Sequence, residues 1–244
     1  MFSGERVLVP ILDELYTRLG AAEATVERLG RPMFTVAYAQ SLDGSIAGER
    51  NRPIALSCDH SWQLTHELRA AHDAILVGIG TVIADNPRLT VRLVPGTDPR
   101  PIVVDSRLRL PREVHLLLED RKPWVATTER AGDEAEAALR SRGADVLRLP
   151  ALANGWVNLE ALARRLADVG IAHVLVEGGS RILTSFLKAR LVDYVVVTVS
   201  PQFVGGVAAL ARNELSPFPR LRSWRTERIG DDLVVAGELE FSDE

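Results

Sequence analysis

With 244 residues, 46% of them hydrophobic and 25% charged, the chain can bury a substantial core without covalent staples, as one α/β domain or two small ones. Its 29 basic and 33 acidic residues leave a formal charge of -4, so no global positive field exists to hold nucleic acid or an anionic membrane, and any anion site must be local. The lone cysteine, Cys58, excludes an intramolecular disulfide and a multi-cysteine zinc site and fits a reducing cytoplasm; no run of about 18 apolar residues occurs, and Met1 to Arg6 leads into no signal-peptide core.

From Val7 to Leu29 the residues Val7, Ile11, Leu12, Leu15, Leu19, Val26 and Leu29 recur at helical spacing until Gly30-Arg31-Pro32 stops the pattern. This predicts a helix or helix pair, so that residues 1–31 read as a helical extension and 32–244 as the main domain. Phe34 to Ala39 is β-prone and runs into Ser41-Leu42-Asp43-Gly44-Ser45, whose Asp-Gly pair signals a turn. After the polar loop Gly48 to Pro53, Asp59 is placed to cap a helix through Leu68 to Ala71, with Trp62, Leu64 and Leu68 as buried candidates. Ala74 to Val77 reads as the second strand. Apolar runs follow at Ile102 to Val104, Val114 to Leu117 and Trp124 to Ala126, then a helix from Asp133 to Ser141 closed by Gly143. Val146 to Leu149, a helix Leu159 to Val169, His173 to Val176, a helix from about Ser180 to Ala189, and Tyr194 to Val199 continue the alternation, which predicts a largely parallel sheet. Trp224 to Arg228 and Leu233 to Ala236, joined by Gly230-Asp231-Asp232, read as an antiparallel hairpin. No repeat or linker interrupts the series, so the whole reads as one α/β domain with a mixed sheet.

Four loops could carry chemistry. Val77-Gly78-Ile79-Gly80-Thr81-Val82-Ile83-Ala84-Asp85 follows a strand, and its glycines and hydroxyl suit close approach to a phosphate; it equally suits a tight strand-to-helix turn, since Ile83 replaces the third glycine of the dinucleotide pattern. Glu177-Gly178-Gly179-Ser180 again leaves a buried strand for a helix, which places a carboxylate at the carboxyl edge of the sheet. In Asp85-Asn86-Pro87-Arg88-Leu89-Thr90-Val91-Arg92, Arg88 and Arg92, with Arg69, could form an anion pocket, or simply surface salt bridges. Ser106-Arg107 suits an adenosine 2′-phosphate or a solvated turn. No phosphate loop of the Gly-x-x-x-x-Gly-Lys type, no His-Glu-x-x-His and no Gly-x-Ser-x-Gly is present, which disfavours an NTPase, a zincin and a serine hydrolase. His60, His66 and His72 read as surface or capping groups rather than metal ligands, and no metal is expected.

Taken in order, Ser41-Leu42-Asp43-Gly44, Leu68-Arg69-Ala70, Gly80-Thr81-Val82-Ile83-Ala84-Asp85-Asn86-Pro87-Arg88-Leu89-Thr90-Val91-Arg92, Val103-Val104-Asp105-Ser106, Val176-Glu177-Gly178-Gly179 and Leu191-Val192-Asp193 resemble the C-terminal reductase domain of bacterial riboflavin-biosynthesis deaminase-reductases and their stand-alone archaeal and fungal relatives. The likeness runs from about Pro32 to Phe241. It implies a dihydrofolate-reductase-like three-layer α/β fold with a mostly parallel mixed central sheet and a C-terminal antiparallel hairpin, usually as a homodimer. It also implies NADPH-dependent reduction of a ribosylaminopyrimidine 5′-phosphate to the ribitylamino compound. By motif, Thr81 and Asp85 are expected at the nucleotide, Ser106 at its adenosine end, and Gly179, Ser180, Arg181, Ile182, Leu183, Thr184 and Ser185 around its phosphates. Arg69, Leu89, Arg92 and Glu177 are expected to face the substrate, with Arg69 and Arg92 clamping the 5′-phosphate. No catalytic residue is assigned; Asp43 and Glu177 are carboxyl candidates for proton delivery by placement, with a turn role for Asp43 left open. Ala37, Pro53 and Ala55 depart from the family pattern on the pyrimidine side. A related pterin or dihydrofolate-like substrate, or nucleotide binding without turnover, therefore stands as the alternative.

Overall fold

The computed structural model describes residues 10–48, 54–119, 121–211, 215 and 218–241; Val7 and the segment Met1 to Arg6 lie outside the described residues. Pro10–Leu12 makes a 3-10 turn into α1 (Asp13–Gly20) and α2 (Ala22–Leu29), so the predicted N-terminal helical stretch is a pair. Gly30 ends α2 at φ 63°, its N–H returning to the Val26 carbonyl in a left-handed cap that an L side chain would strain. The chain continues through β1 (Met33–Ser41), β2 (Ser45–Ala47), α3 (Asp59–Ala70), β3 (Ala74–Gly78), α4 (Ile79–Asp85), β4 (Arg100–Val104), α5 (His115–Leu118), β5 (Trp124–Thr128), α6 (Asp133–Arg140) and β6 (Asp145–Leu149). It ends with α7 (Leu159–Asp168), β7 (His173–Gly178), α8 (Ser180–Lys188), β8 (Tyr194–Ser200), β9 (Val207–Ala208), β10 (Arg220–Ile229) and β11 (Asp232–Glu240).

Among the described residues, nine strands form one sheet in the order β10-β11-β8-β1-β7-β3-β4-β5-β6. From β8 to β6 every pairing is parallel, and the β10–β11 hairpin adds two antiparallel strands beyond β8. β3 explains its own sequence: Ala74 to Val77 are sealed on both faces, so the strand is a continuous apolar run rather than an alternation. On one face Leu64 and Leu68 of α3 and Ile79 and Val82 of α4 build a core that Ile11, Leu12 and Leu15 join from the N-terminal helices. On the other, Leu162 and Leu166 of α7 and Leu183 and Phe186 of α8 pack on Phe34, Val36 and Leu76. Three layers result, helices on both sides of a mostly parallel sheet.

Local chemistry sets the boundaries. Arg31 pairs through both nitrogens with Asp193 at 2.7 and 2.9 Å, and the same carboxylate accepts the Phe34 N–H, fastening the start of β1 to the start of β8. Asn158 caps α7 by accepting the Ala161 N–H. α3 departs from expectation at its start: the cap position is Cys58, with no side-chain cap bond, and Asp59 is the first helical residue. Cys58 is instead anchored to the hairpin turn, its N–H donating to Asp232 and its thiol to the Ile229 carbonyl. Trp62, expected to be buried, is 39% exposed, because it sits on the side of α3 that faces the cleft described below. Val114 to Leu117, as apolar as the strands around it, enters the short helix α5.

Candidate active site

The later residues of β1 and β8 and Glu177 near the end of β7 open on a cleft of about 220 Å³ between α3, α4 and α8, at the carboxyl edge of the parallel strands, the usual place for a site in an open α/β sheet. Glu177 is the only partly exposed residue in the last five of β7, and it points at Arg69 on the last turn of α3. The pair is bidentate, Nε to Oε1 and Nη2 to Oε2 both at 2.7 Å, while Nη1 donates to the Thr90 carbonyl at 3.2 Å. Burial opposes the charge on Arg69, but the attraction and hydrogen bonds of Glu177 outweigh it and hold the guanidinium pKa above its ordinary value. Arg92, exposed nearby, donates from Nη1 to the Thr90 hydroxyl. Partial burial first, and then the charges of Arg69 and Arg88, lower its pKa, against a smaller pull from Glu177. Arg69 and Arg88 thus repel the charge on Arg92, which Glu177 offsets only in part, and a further anion would relieve it.

Across the cleft, α4 and α8 begin side by side. The Thr81 hydroxyl accepts the Gly179 N–H at 3.0 Å. Gly178 holds φ +105°, a conformation closed to L side chains, and its peptide to Gly179 is cis. A Cβ on Gly179 would come within 3.2 Å of the Thr81 oxygen. α8 starts on Gly179 with no side-chain cap, so its first-turn N–H groups face a bare backbone cradle. Asp85, at the other end of α4, also lines the cleft, and desolvation raises its carboxyl pKa.

The RibD C-terminal domain family model matches residues 32–235. The chain belongs to this family. It is 33% identical over 238 residues to riboflavin biosynthesis protein RibD of Aquifex aeolicus, covering 96% of this chain and 65% of that protein; the chain thus spans about two thirds of that relative's length. It is 34% identical over 220 residues to the 2,5-diamino-6-ribosylamino-4(3H)-pyrimidinone 5′-phosphate reductase of Archaeoglobus fulgidus, covering 86% of this chain and 99% of that protein. Among solved structures, Acinetobacter baumannii RibD superposes with a TM-score of 0.80 at 24% identity over 95% of this chain and 64% of that one. Dihydrofolate reductase of Enterococcus faecalis superposes at 0.50 with 13% identity over 84% of this chain and 96% of that one, a likeness of fold. The dihydrofolate-reductase-like architecture expected from the sequence is present.

Of the family-motif residues, Arg69, Thr81, Asp85, Glu177, Gly179 and Leu183 line the same cleft. Ser180 and Arg181 stand at the open first turn of α8 and Ser185 lies a turn further along it. Ile182 and Thr184 turn inward, so these two can offer a ligand only backbone, whereas Leu183, buried on α8, lines the cleft. Ile182 lies under Gly78, and the Thr184 hydroxyl donates to the Ser180 carbonyl and accepts the Ala211 N–H. Leu89 has its side chain 2% exposed in the core at φ 53°, so it too presents backbone only. Ser106, past the end of β4, holds the Val157 N–H.

Asp43 is a turn residue. Its carboxylate accepts from the Ser41 and Ser45 hydroxyls and the Val204 and Gly205 N–H groups, which hold its pKa far below the usual carboxylate range and remove it as a proton donor. Of the three histidines read as surface or capping groups, His60 is exposed and His72, though buried, caps the last turn of α3 at the Leu68 carbonyl; His66 corrects the reading, being buried within the helix. His72 bridges the Leu68 carbonyl and the Thr35 hydroxyl; His66 Nδ1 accepts the Arg92 N–H. Tyr38 and Thr65 line the cleft without having been singled out in the sequence; each is an ordinary strand or helix residue until the fold places it. Ala37 lines the cleft, exposed Ala55 lies between the lining residues Ile54 and Leu56, and Pro53 falls outside the described residues.

Proposed function

We propose that this chain is an NADPH-dependent reductase that converts a ribosylaminopyrimidine 5′-phosphate to its ribitylamino counterpart in riboflavin biosynthesis, working in the cytoplasm as a homodimer. The observation that carries the reading is the convergence of two different cradles on one cleft: Thr81, Asp85 and the uncapped start of α8 on one wall, and the Arg69–Glu177 pair with Arg92 beside it on the other. The first wall fits a dinucleotide. Bare backbone at Gly178 and Gly179 lets a pyrophosphate approach the α8 N–H groups, with Thr81 and Asp85 toward the nicotinamide and Ser106 toward the adenosine. The second wall fits a phosphorylated sugar, since Arg92 and the Arg69 N–H groups not taken by Glu177 and Thr90 offer positive charge and donors to phosphate oxygens.

When bound, the cofactor supplies a hydride to ribose C1′ of the opened sugar. The chain has to align the two molecules and exclude water. Glu177 orients Arg69 through both oxygens, leaving the remaining guanidinium N–H groups for substrate. Asp85, whose raised pKa keeps a proton more readily than an ordinary carboxyl, is the cleft acid suited to hold one.

The relative matched over 99% of its own length is named for the 2,5-diamino compound, which is therefore the first substrate to try. NADPH consumption is to be followed with that compound, its deaminated analogue and dihydrofolate. Turnover of either pyrimidine supports the reading; turnover of dihydrofolate alone, or NADPH binding with no turnover, contradicts it. Sedimentation tests the dimer separately.

A further inference from the structure

Residues 88–92 form neither helix nor strand, and side chains from elsewhere satisfy their backbone. Arg121 donates to the Arg88 and Leu89 carbonyls at 3.2 and 3.3 Å, and Arg69 donates to the Thr90 carbonyl. Asp98 accepts the Val91 N–H at 2.6 Å, and His66 Nδ1 accepts the Arg92 N–H at 3.0 Å. Backbone groups away from water need partners, so the shape of this segment follows the side chains that supply them. Two of these side chains, His66 and Arg69, are three residues apart on α3 and share its face. One helix face therefore fixes the Thr90 peptide and the Arg92 peptide together.

His66 is 0% exposed. Because Nδ1 accepts, the ring proton sits on Nε2, which is buried with no hydrogen-bond partner among the described residues. Leucine would fill the same space without that cost, so what the histidine contributes is the acceptor. Burial, and then the charges of Arg69 and Arg92, bring its pKa down to about 4, which keeps Nδ1 an acceptor at neutral pH.

We propose that His66 is a positioning residue: by holding the Arg92 peptide it sets the direction in which the Arg92 guanidinium leaves the chain toward the substrate phosphate. The inference rests on the proposed phosphate-clamp role of Arg92. The Thr90 hydroxyl, accepting from Arg92 Nη1, completes the hold from the other end.

The test compares H66L, H66N and H66Q with R92A by calorimetric titration of the 2,5-diamino 5′-phosphate and its dephosphorylated nucleoside, alongside steady-state kinetics. Asparagine puts an amide oxygen where Nδ1 stands, and glutamine puts it near Nε2. H66L and H66Q are expected to lose roughly tenfold of the preference for the phosphorylated compound and to raise its KM by the same factor, with kcat and NADPH affinity kept. H66N is expected to stay near wild type. Equal phosphate preference in wild type and H66L overturns the proposal, as does equal behaviour of H66N and H66Q should the leucine variant not fold. Should wild type bind neither compound, the functional reading fails on its own. Amide hydrogen exchange at Arg92 then decides the positioning role: faster exchange in H66Q than in H66N supports it, and equal rates overturn it.

Discussion

The Arg69–Glu177 pair concentrates the chemistry of the cleft in two side chains. Arg69 is enclosed and Glu177 supplies both oxygens to it, so removing the carboxylate leaves a buried cation short of its partner. Glu177→Gln is expected to cost about 3 kcal/mol in urea unfolding, together with a loss of substrate affinity. Arg69→Lys, which keeps the charge but loses the fork, is expected to restore neither the bidentate geometry nor the affinity. Both residues were legible in the sequence because each sits in a motif whose spacing survives without the fold. His66 was not. Its burial depends on the backbone of Arg92, 26 positions away, and periodicity on α3 carries no trace of that contact.

Where elements meet, two contacts make predictions. A methyl group on Gly78 would stand 2.6 Å from Ile182 Cγ1, so α8 can lie against the end of β3 only because that residue is glycine. Gly78→Ala is expected to destabilise by about 1–3 kcal/mol, and Ile182→Ala in the same chain to relieve part of it, read as a non-additive double-mutant cycle. His72 ties the last turn of α3 to Thr35 on β1 and is neutral in the fold, burial lowering its pKa to about 4 from 6.5; His66 is shifted alike. The unfolded chain therefore binds protons that the fold does not. Stability is expected to fall as pH drops from about 6.5 to about 4, by up to about 1.4 kcal/mol per unit for each histidine, and to level off below for these two groups. Thermal unfolding against pH checks this, and His72→Asn should flatten the slope. At this scale the sequence was readable wherever a pattern was long. The four-residue run Val114 to Leu117 was ambiguous because so short an apolar stretch fits a buried strand and a helical turn equally.

Across the whole molecule, a mostly parallel sheet covered on both faces brings β1, β7 and β8 together at one cleft on its carboxyl edge. The N-terminal helices stand apart from the family match, which begins at residue 32, yet Ile11, Leu12 and Leu15 lie in the same core as α3 and α4. Leu15→Ala is expected to cost about 2–5 kcal/mol in global unfolding, and removal of residues 1–31 to lower the stability of the remainder rather than release an independent unit. Alternation of strands and helices foretold the largely parallel sheet, and the turn at Gly230-Asp231-Asp232 the hairpin. It could not foretell that the extension shares the core, since an amphipathic helix does not name the surface it covers.

Hydride transfer in this cleft to the sugar of a phosphorylated aminopyrimidine leaves an atom that can be traced. NADPH deuterated at the nicotinamide C4, incubated with the protein and the 2,5-diamino compound, is expected to leave its label on C1′ of a ribitylamino product. Unconsumed NADPH, or label found in the pyrimidine ring instead, would contradict the account.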